Sequence, residues 1–210
     1  MNRAVAIAEE FKQYAYSVSH DVSGPVRAMV EFSKILSEEE ASHLSGESQE
    51  YLSLIVENGQ KLQKMMDSLL QYSRLNTLPR VIERVDLNRV VQGVLLQLFA
   101  SIEQNGTEIE LGELPVVQAD QNQMWQLFHA LLENALIFHS PESPLQIHLH
   151  AHLNQERCEI TVADNGIGVP PNQRESIFQL FKRLHSDEDY PGIGMGLTLA
   201  KKIVEGHNGT

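Results

Sequence analysis

The sequence is poor in cysteine, in basic residues and in long apolar runs. A single cysteine, Cys158, excludes an internal disulfide, and its place in a strand-like run favours a small core residue. Lys and Arg number 16 against 28 Asp and Glu, a formal net charge of -12, which argues against nucleic acid and anionic membrane surfaces as partners. Because no apolar run approaches the length of a membrane span and the N-terminus has no signal-peptide pattern, we expect a cytoplasmic segment without membrane contact.

A heptad pattern runs through the first forty positions. Its two interleaved apolar series are Ala4, Phe11, Val18, Pro25 and Phe32, and Ala8, Ala15, Val22, Met29 and Leu36. This spacing predicts a helix from residue 3 to about 41 with one apolar seam. A turn at Gly46 and a second helical run ending near Tyr72 complete an antiparallel hairpin. We expect two hairpins to pair as a four-helix bundle in an obligate dimer; a hairpin folded back on its own second domain is the alternative.

Residues 19–29, with the sequence SHDVSGPVRAM, place His20 opposite this seam and beside Asp21. A surface histidine on a solvated face is the ordinary interpretation of such a pair. Gly24 and Pro25, however, weaken the helix within about a turn of His20, because proline removes a backbone donor and crowds the preceding turn. A helix that is weakened locally in this way favours the hypothesis of a site that must flex.

Pro79 marks a predicted linker at residues 77–80, between a helical domain at 1–76 and a second domain at 81–210. Beyond the linker, strands at 81–85, 107–111, 116–119, 145–153 and 158–163 alternate with helices at 87–104 and 121–138, the latter capped by Asp120. The sequence therefore predicts an α+β protein whose second domain is an α/β sandwich, one sheet with helices on one face.

Three histidines alternate with apolar residues in the strand at 145–153, at positions 148, 150 and 152. Period two puts all three on one face, which suits either a metal site or a solvated strand face. The solvated face is favoured because no acid or thiol completes a closed site.

Two glycine-rich stretches and an aromatic one follow. VADNGIGV ends a strand at Asp164 and continues with Gly166 and Gly168, which let backbone approach a ligand closely. PGIGMGL precedes a helix, where backbone N–H groups bind anions, so we expect phosphate there. Between them lies IFQLFKRLH, with Phe178, Phe181, Lys182 and Arg183.

Taken in order, these stretches resemble the boxes of two-component sensor histidine kinases. HDVSGPVRAM is similar to their phosphoacceptor box, most closely in the phytochrome-like branch, and YLSLIVENGQKLQKMMDSLLQYSRL resembles their second dimerisation helix. The resemblance implies a helical dimerisation domain followed by the ATP-binding fold shared with Hsp90-type chaperones, gyrase and MutL. The family normally continues into further strands beyond Thr210, so we expect a catalytic domain truncated at its C-terminus; an unusually short sheet is the alternative.

The resemblance also implies an ATP site. Asp164 would accept from the adenine amino group, with Gly166 and Gly168 beside the base. Phe178 and Phe181 would anchor a lid to the sheet, and Lys182 and Arg183 would meet the phosphates or else form a solvated basic pair. The remaining expected ligands are Asn134 for Mg²⁺ and, around the triphosphate, Gly192, Gly194, Gly196 and Leu197.

The sequence departs from the family at positions 130, 137 and 24. Ala130, Asn134 and Ile137 share one helical ridge, where the family usually has Asn, Asn and Lys, so only Asn134 agrees. Asn134 with phosphates and waters can suffice for Mg²⁺, but losing two polar groups weakens the expected activity. Gly24 replaces the Thr or Asn that orients a hydrolytic water in many members, which argues against phosphatase activity of that type.

The implied function is an ATP-dependent protein-histidine kinase. His20 would attack the γ-phosphate, Asp21 would accept or orient the other ring proton, and the phosphoryl group would pass to an aspartate of a response regulator receiver domain. A degenerate kinase acting as a dimeric phosphotransfer or regulatory module with little ATP turnover is the main alternative, and a chaperone-like or repair ATPase is the other. The stimulus, the cognate regulator and transfer within or between subunits are not determined by the sequence.

Overall fold

The computed structural model describes residues 3–40, 42–77, 79–140, 142–154, 157–186 and 189–210, and the side chains of residues 3–20, 76 and 77 lie outside that description. The chain divides into two compact units, Met1–Leu78 and Pro79–Thr210. A helical hairpin followed by a mixed α/β unit is the fold class that the sequence predicts.

The first unit is an antiparallel hairpin of helix α1, Arg3–Glu39, and helix α2, Gly46–Thr77. The Ser48 N–H donates to the Ser45 hydroxyl at 3.2 Å, so Ser45 caps α2. Gly46 is therefore the first helical residue and does not form the predicted turn. Helix α2 also continues beyond the predicted end near Tyr72, because Arg74 and Leu75 favour helix and Leu75 is buried.

The two helices pack through a different stripe from the predicted seam. Val26, Val30 and Ser33 of α1 are buried against α2. The predicted seam instead remains exposed on the single chain, with exposed fractions of 39% for Val22, 61% for Met29 and 65% for Phe32. Helix α1 thus has an inner stripe toward α2 and an outer apolar stripe. The sequence analysis predicted a single seam and did not distinguish the two. The backbone of α2 comes so close at Gly59 that any Cβ there would collide with the Val30 side chain.

The second unit begins with strand β1, Ile82–Asp86, and two helices, α3 Leu87–Gln97 and α4 Phe99–Asn105. The predicted single helix at 87–104 is wrong, because the chain bends at Leu98, with φ -87° and ψ 3°. The following elements are β2 Glu108–Leu111, β3 Val116–Asp120, α5 Gln121–Ile137, β4 Gln146–Leu153, β5 Cys158–Asp164, 3₁₀ turns at Pro171–Gln173 and Ser176–Phe178, and α6 Gly196–Gly206.

The described strands form two sheets rather than the predicted one. Strand β1 pairs antiparallel with β3, while β4 lies between a parallel β2 and an antiparallel β5. The separation occurs between β2 and β3. Gly112 still donates to the Leu149 carbonyl at 2.8 Å, but Pro115 has no N–H and its carbonyl accepts from Leu87 at 3.3 Å. The chain therefore leaves the three-stranded sheet before β3 begins.

The core of the second unit lies between β4 and its helices. Strand β4 alternates as the sequence predicts, with Ile147 and Leu149 buried and the intervening histidines exposed. Helices α3, α5 and α6 contribute fully buried apolar side chains, including Leu87, Val91, Phe128, Leu132 and Ile203. Such burial contributes about 1.5–3 kcal/mol for each large side chain.

Two smaller predictions concern Asp120 and Cys158. Asp120 caps α5 as predicted, because its carboxylate accepts from the Gln123 N–H at 3.1 Å. Cys158 is half-buried at the start of β5, and burial raises the pKa of its thiol. Among the described residues, no helix combines the length and apolarity needed to span a bilayer.

Candidate functional site

The predicted phosphoacceptor lies in helix α1. The backbone of His20 is helical, and its side chain lies outside the described residues, so its outward orientation stays a prediction. Asp21, next along the chain, is exposed. Helix α1 continues through Pro25, and a Cβ at Gly24 would have nothing within 4 Å. The helix is therefore unbroken here, and the space beside Gly24 is open.

One ridge of helix α5 organises the predicted nucleotide residues in the second unit. Ala130 is 9% exposed, Asn134 and Ile137 are half-buried, and Phe138 follows at the end of the helix. At 1.5 Å per residue, the ridge from Ala130 to Phe138 is about 12 Å long. Asn134 lies halfway along it.

The first glycine loop lies at the Phe138 end of this ridge. The Ile167 N–H donates to the Phe138 carbonyl at 3.0 Å. The same carbonyl stands where a Cβ on Gly166 would project, so this position has no room for a side chain. A bulkier residue at 166 would push the loop away from α5.

Asp164 ends strand β5 at the start of that loop. Its carboxylate is exposed and accepts from the Gly166 N–H at 2.9 Å, which fixes its orientation. The neighbouring Asn165 holds the loop to β4, since its side-chain oxygen accepts from the Gln146 N–H at 2.8 Å. Gly168 has φ 68°, a conformation that favours glycine. The loop therefore presents an acid at a fixed, solvent-accessible place.

The second glycine loop lies at the Ala130 end. Gly196 is the first residue of α6, and a Cβ there would lie 3.8 Å from the Cβ of Ala130. Gly194, two residues earlier, has φ 74°, and a Cβ on it would meet the Lys182 carbonyl at 2.7 Å. Gly192 is exposed and Leu197 is half-buried. The two glycine loops thus flank the single ridge that carries Asn134.

The segment between the loops contacts α6, and the predicted anchoring of Phe178 and Phe181 to the sheet stays a prediction. The Lys201 ammonium lies 5.2 Å from the centre of the Phe178 ring, and Thr198 donates to the Gln179 carbonyl at 3.1 Å. Phe181 is 40% exposed and has φ 59°. The bond to Thr198, in the first turn of α6, directs this short segment toward the helix.

Lys182 and Arg183 have different surroundings. The Arg183 guanidinium donates to the carbonyls of Ser186, at 3.0 Å, and Tyr190, and so holds these two residues together. Lys182 is exposed. The structure thus separates the two residues that the sequence treats as a pair, and contact of either with phosphate stays a prediction.

Sequence reasoning missed an aromatic cluster at the Phe138 end of the ridge. The Tyr190 ring stacks on Phe138 with centroids 5.3 Å apart, and His185 lies 5.2 Å from Tyr190 and 6.1 Å from Phe138. Such ring pairs contribute about 0.5–1.5 kcal/mol beyond their buried area. The three residues are aromatic in the sequence, but nothing in their spacing indicates that they meet.

The histidine face of β4 is solvated. His148, His150 and His152 are exposed, and the His148 Nδ1 lies 2.8 Å from a Glu110 oxygen on β2. Within the described ranges, no three His, Cys, Asp or Glu side chains group in a way that could hold a metal ion.

Two family models match the chain in the order of these sites. The model of the His Kinase A (phospho-acceptor) domain matches residues 12–78, which include His20. The model of the histidine kinase-, DNA gyrase B- and HSP90-like ATPase matches residues 119–210, which include the α5 ridge and both glycine loops.

Curated proteins with similar sequences are sensory kinases and phytochromes. The phytochrome-like protein Cph1 of Synechocystis is 34% identical over 200 residues, 95% of this chain and 27% of that protein. Cyanobacterial phytochrome B of Nostoc is 35% identical over 206 residues, 96% of this chain and 27% of that protein. Sensor protein kinase WalK of Staphylococcus saprophyticus is 27% identical, over 97% of this chain and 34% of that protein. The chain thus spans between a quarter and about a third of these relatives.

Two solved structures share the fold. Full-length ShkA in complex with AMPPNP matches with a TM-score of 0.70 at 24% identity, over 93% of this chain and 41% of that one. The mycobacterial sensor histidine kinase MprB matches with a TM-score of 0.52 at 26% identity, over 61% of this chain and 81% of that one.

Proposed function

This chain belongs to the sensor histidine kinases, with phytochrome-like relatives, and we propose that it transfers the γ-phosphoryl group of ATP to His20 and then to a response regulator aspartate. The observation that carries the proposal is the α5 ridge, which has Asn134 at its middle and a glycine loop at each end. One nucleotide lying along this ridge would place its base beside Asp164 and its phosphates beside α6.

The proposed binding roles follow from the chemistry of each end. Asp164, exposed and oriented by Gly166, would accept from the adenine amino group. The first N–H groups of α6, after Gly194, would donate to phosphate oxygens, because a helix N-terminus attracts anions. The Asn134 side-chain oxygen is of the type that Mg²⁺ prefers, and Mg²⁺ held there with phosphates and waters would neutralise charge on the phosphates.

In the proposed transfer, a ring nitrogen of His20 forms a bond to the γ-phosphorus while the bond from phosphorus to the β,γ-bridging oxygen breaks and ADP leaves. Asp21 would accept the proton on the other ring nitrogen, which makes the attacking nitrogen a better nucleophile. A carboxylate oxygen of the regulator would then displace the histidine nitrogen and take the phosphoryl group. Positioning, rather than covalent chemistry by other residues, would supply most of the catalysis.

We also propose a homodimer formed through the outer stripe of the hairpin. Val22, Met29, Phe32 and Leu36 of α1 are exposed, as are Ile55 and Leu62 of α2. These residues follow heptad spacing, which is typical of a helical interface. Burying such a stripe in a second hairpin would give a four-helix bundle.

A specific observation favours a second candidate, a dimeric regulatory module with little ATP turnover. Ala130 packs beside Gly196, and Ile137 is half-buried, so two positions along the ridge offer the phosphates no polar group. Such a protein would bind ATP and still transfer phosphate slowly.

Incubation of the full chain with γ-labelled ATP and Mg²⁺ tests the proposal. We expect acid-labile, base-stable label on the native chain and none on His20→Ala. His43→Ala is the matched control, because His43 lies in the exposed turn between the helices, and this variant should keep its label. ATP binding without label would support the regulatory module. Phosphate release without labelled protein would support a chaperone-like or repair ATPase instead.

A further inference from the structure

A part-buried, hydrogen-bonded corner joins the two ends of the second unit. His207, just after α6, has its Nδ1 2.8 Å from the Ile203 carbonyl and its Nε2 3.1 Å from the Asp120 backbone nitrogen. A carbonyl can only accept and a backbone N–H can only donate, so Nδ1 carries the proton and Nε2 accepts. Both ring nitrogens of His207 are therefore used, in one tautomer.

Asp120 brings two more segments to the same corner. It is 8% exposed, and its carboxylate oxygens accept from the N–H groups of Gln123, at 3.1 Å, and of Val81, at 3.0 Å. The first contact caps α5, and the second holds the segment that leads into β1. One residue thus joins the lead-in segment, residues 79–81, to the start of α5 and, through its own N–H, to the end of α6.

Arg80 makes a further connection. Its guanidinium donates to the Gly206 carbonyl at the last residue of α6. A Cβ on Gly206 would lie 3.0 Å from this guanidinium, so glycine lets Arg80 lie flat against the helix end. The end of α6 is therefore attached to the lead-in segment as well as to Asp120.

These contacts determine where α6 lies along α5. Helix α6 has 11 residues and is about 16 Å long. Its C-terminal end is attached at Asp120, and its N-terminal Gly196 packs beside Ala130. The stretch of chain from Asp120 to Ala130 is about 15 Å long. The length of α6 therefore matches this first part of α5, and contacts at both ends of α6 fix the register of the two helices.

We propose that His207 is a positioning residue that sets the register of α6 along α5, and so the place of the second glycine loop on the ridge that carries Asn134. This inference rests on the proposed ATP site. Without the His207 bonds, α6 keeps its apolar packing through Ile203 and the Arg80 bond. It loses the directional contact to Asp120, which opposes sliding along α5. A small shift moves the phosphate-binding N–H groups away from the phosphates.

The test compares His207→Ala with His207→Gln in the full chain. Glutamine has an acceptor oxygen and a donor NH2 group and can replace both histidine bonds, whereas alanine replaces neither. The free energy of one hydrogen bond, taken wholly from ATP binding, corresponds to about a tenfold change in affinity. We therefore expect His207→Ala to raise the KM for ATP and the Kd for the fluorescent analogue TNP-ATP about tenfold, with a smaller change in kcat, and His207→Gln to restore both within about threefold.

Arg80→Ala is a milder second variant, since Arg80 is exposed, and Arg84→Ala, an exposed arginine of β1, is its matched control. Arg80→Ala should also raise the Kd for TNP-ATP, and Arg84→Ala should leave it unchanged.

An unchanged KM for ATP with a lower melting temperature in His207→Ala, or no rescue by glutamine, would overturn the inference. Because TNP-ATP binding is measured without phosphorylation, a native chain that fails to label His20 refutes only the proposed kinase and leaves this test in force.

Discussion

At the residue scale, the glycines of the second loop differ in what they make possible. Gly194 has φ 74° and no room for a Cβ, because the backbone at Phe181 and Lys182 lies within 3.0 Å of that position. Gly196 starts a helix, and a Cβ there would make only an ordinary contact with Ala130 at 3.8 Å. Two glycines in one motif are thus required to very different degrees.

This difference gives a paired prediction. Gly194→Ala forces a left-handed backbone on alanine, which costs about 1–2 kcal/mol, and adds a collision with the Lys182 carbonyl. We expect the Kd for TNP-ATP to rise at least about tenfold. Gly196→Ala keeps every N–H and favours the helix, so its Kd should stay within about threefold. Equal effects of the two substitutions, measured by fluorescence titration, would contradict this account of the loop.

At the scale of one element, helix α5 belongs both to the core and to the proposed ATP site. One face buries Phe128 and Leu132 in the core, and the ridge from Ala130 to Ile137 borders both glycine loops. A helix can serve both purposes because residues three and four apart share a face. Ala130 and Ile137 are apolar, so they are compatible with the core. Compared with the family pattern, the ridge lacks a polar side chain at both positions.

We therefore expect the double variant Ala130→Asn with Ile137→Lys to autophosphorylate faster than the native chain. A single polar group that stabilises developing charge is worth on the order of 10²-fold in rate, so an increase of about tenfold or more is expected. Ala130→Ser with Ile137→Leu is the matched control, since it changes the same positions without the amide or the ammonium. The initial rate of label incorporation at His20 is the measurement, and an unchanged or lower rate would refute the explanation of the altered ridge.

At the scale of the whole molecule, the hairpin has more apolar surface than one chain buries. Helix α1 uses Val26, Val30 and Ser33 against α2 and leaves Met29 and Phe32 exposed on another side. Exposed apolar residues scattered singly are normal, but a continuous stripe with heptad spacing is typical of an interface. The proposed dimer accounts for this stripe.

Phe32→Glu should separate the dimer, because it places a charge in the centre of the proposed interface. Sedimentation should change from twice 23.6 kDa to 23.6 kDa. Leu96→Glu is the matched control: Leu96 is 77% exposed on α3 of the other unit, and its replacement should leave the mass unchanged. A native chain that sediments at 23.6 kDa, or a Phe32→Glu variant that stays at twice that mass, would exclude the interface.

Much of the fold follows from local patterns in the sequence. Heptad spacing predicts the hairpin, and alternation predicts the buried and exposed faces of β4. Asp120, as an N-cap residue, predicts the start of α5. The glycine motifs also predict where loops form, because glycine tolerates conformations that other residues avoid. These features depend on neighbours a few positions apart, so the sequence contains them directly.

Other features were decided by tertiary structure alone. Four features depend on groups that packing brings together. They are the choice of the α1 stripe that packs against α2, the split into two sheets, the bonds of Arg183 and the corner at His207. Arg80 and Gly206, for example, meet across 126 positions of the chain. Periodicity shows which face of a helix or strand is buried and which is exposed. It does not identify the residues of other elements that pack against the buried face. That identity depends on how whole helices and strands pack, and the packing reflects the combined burial of many side chains.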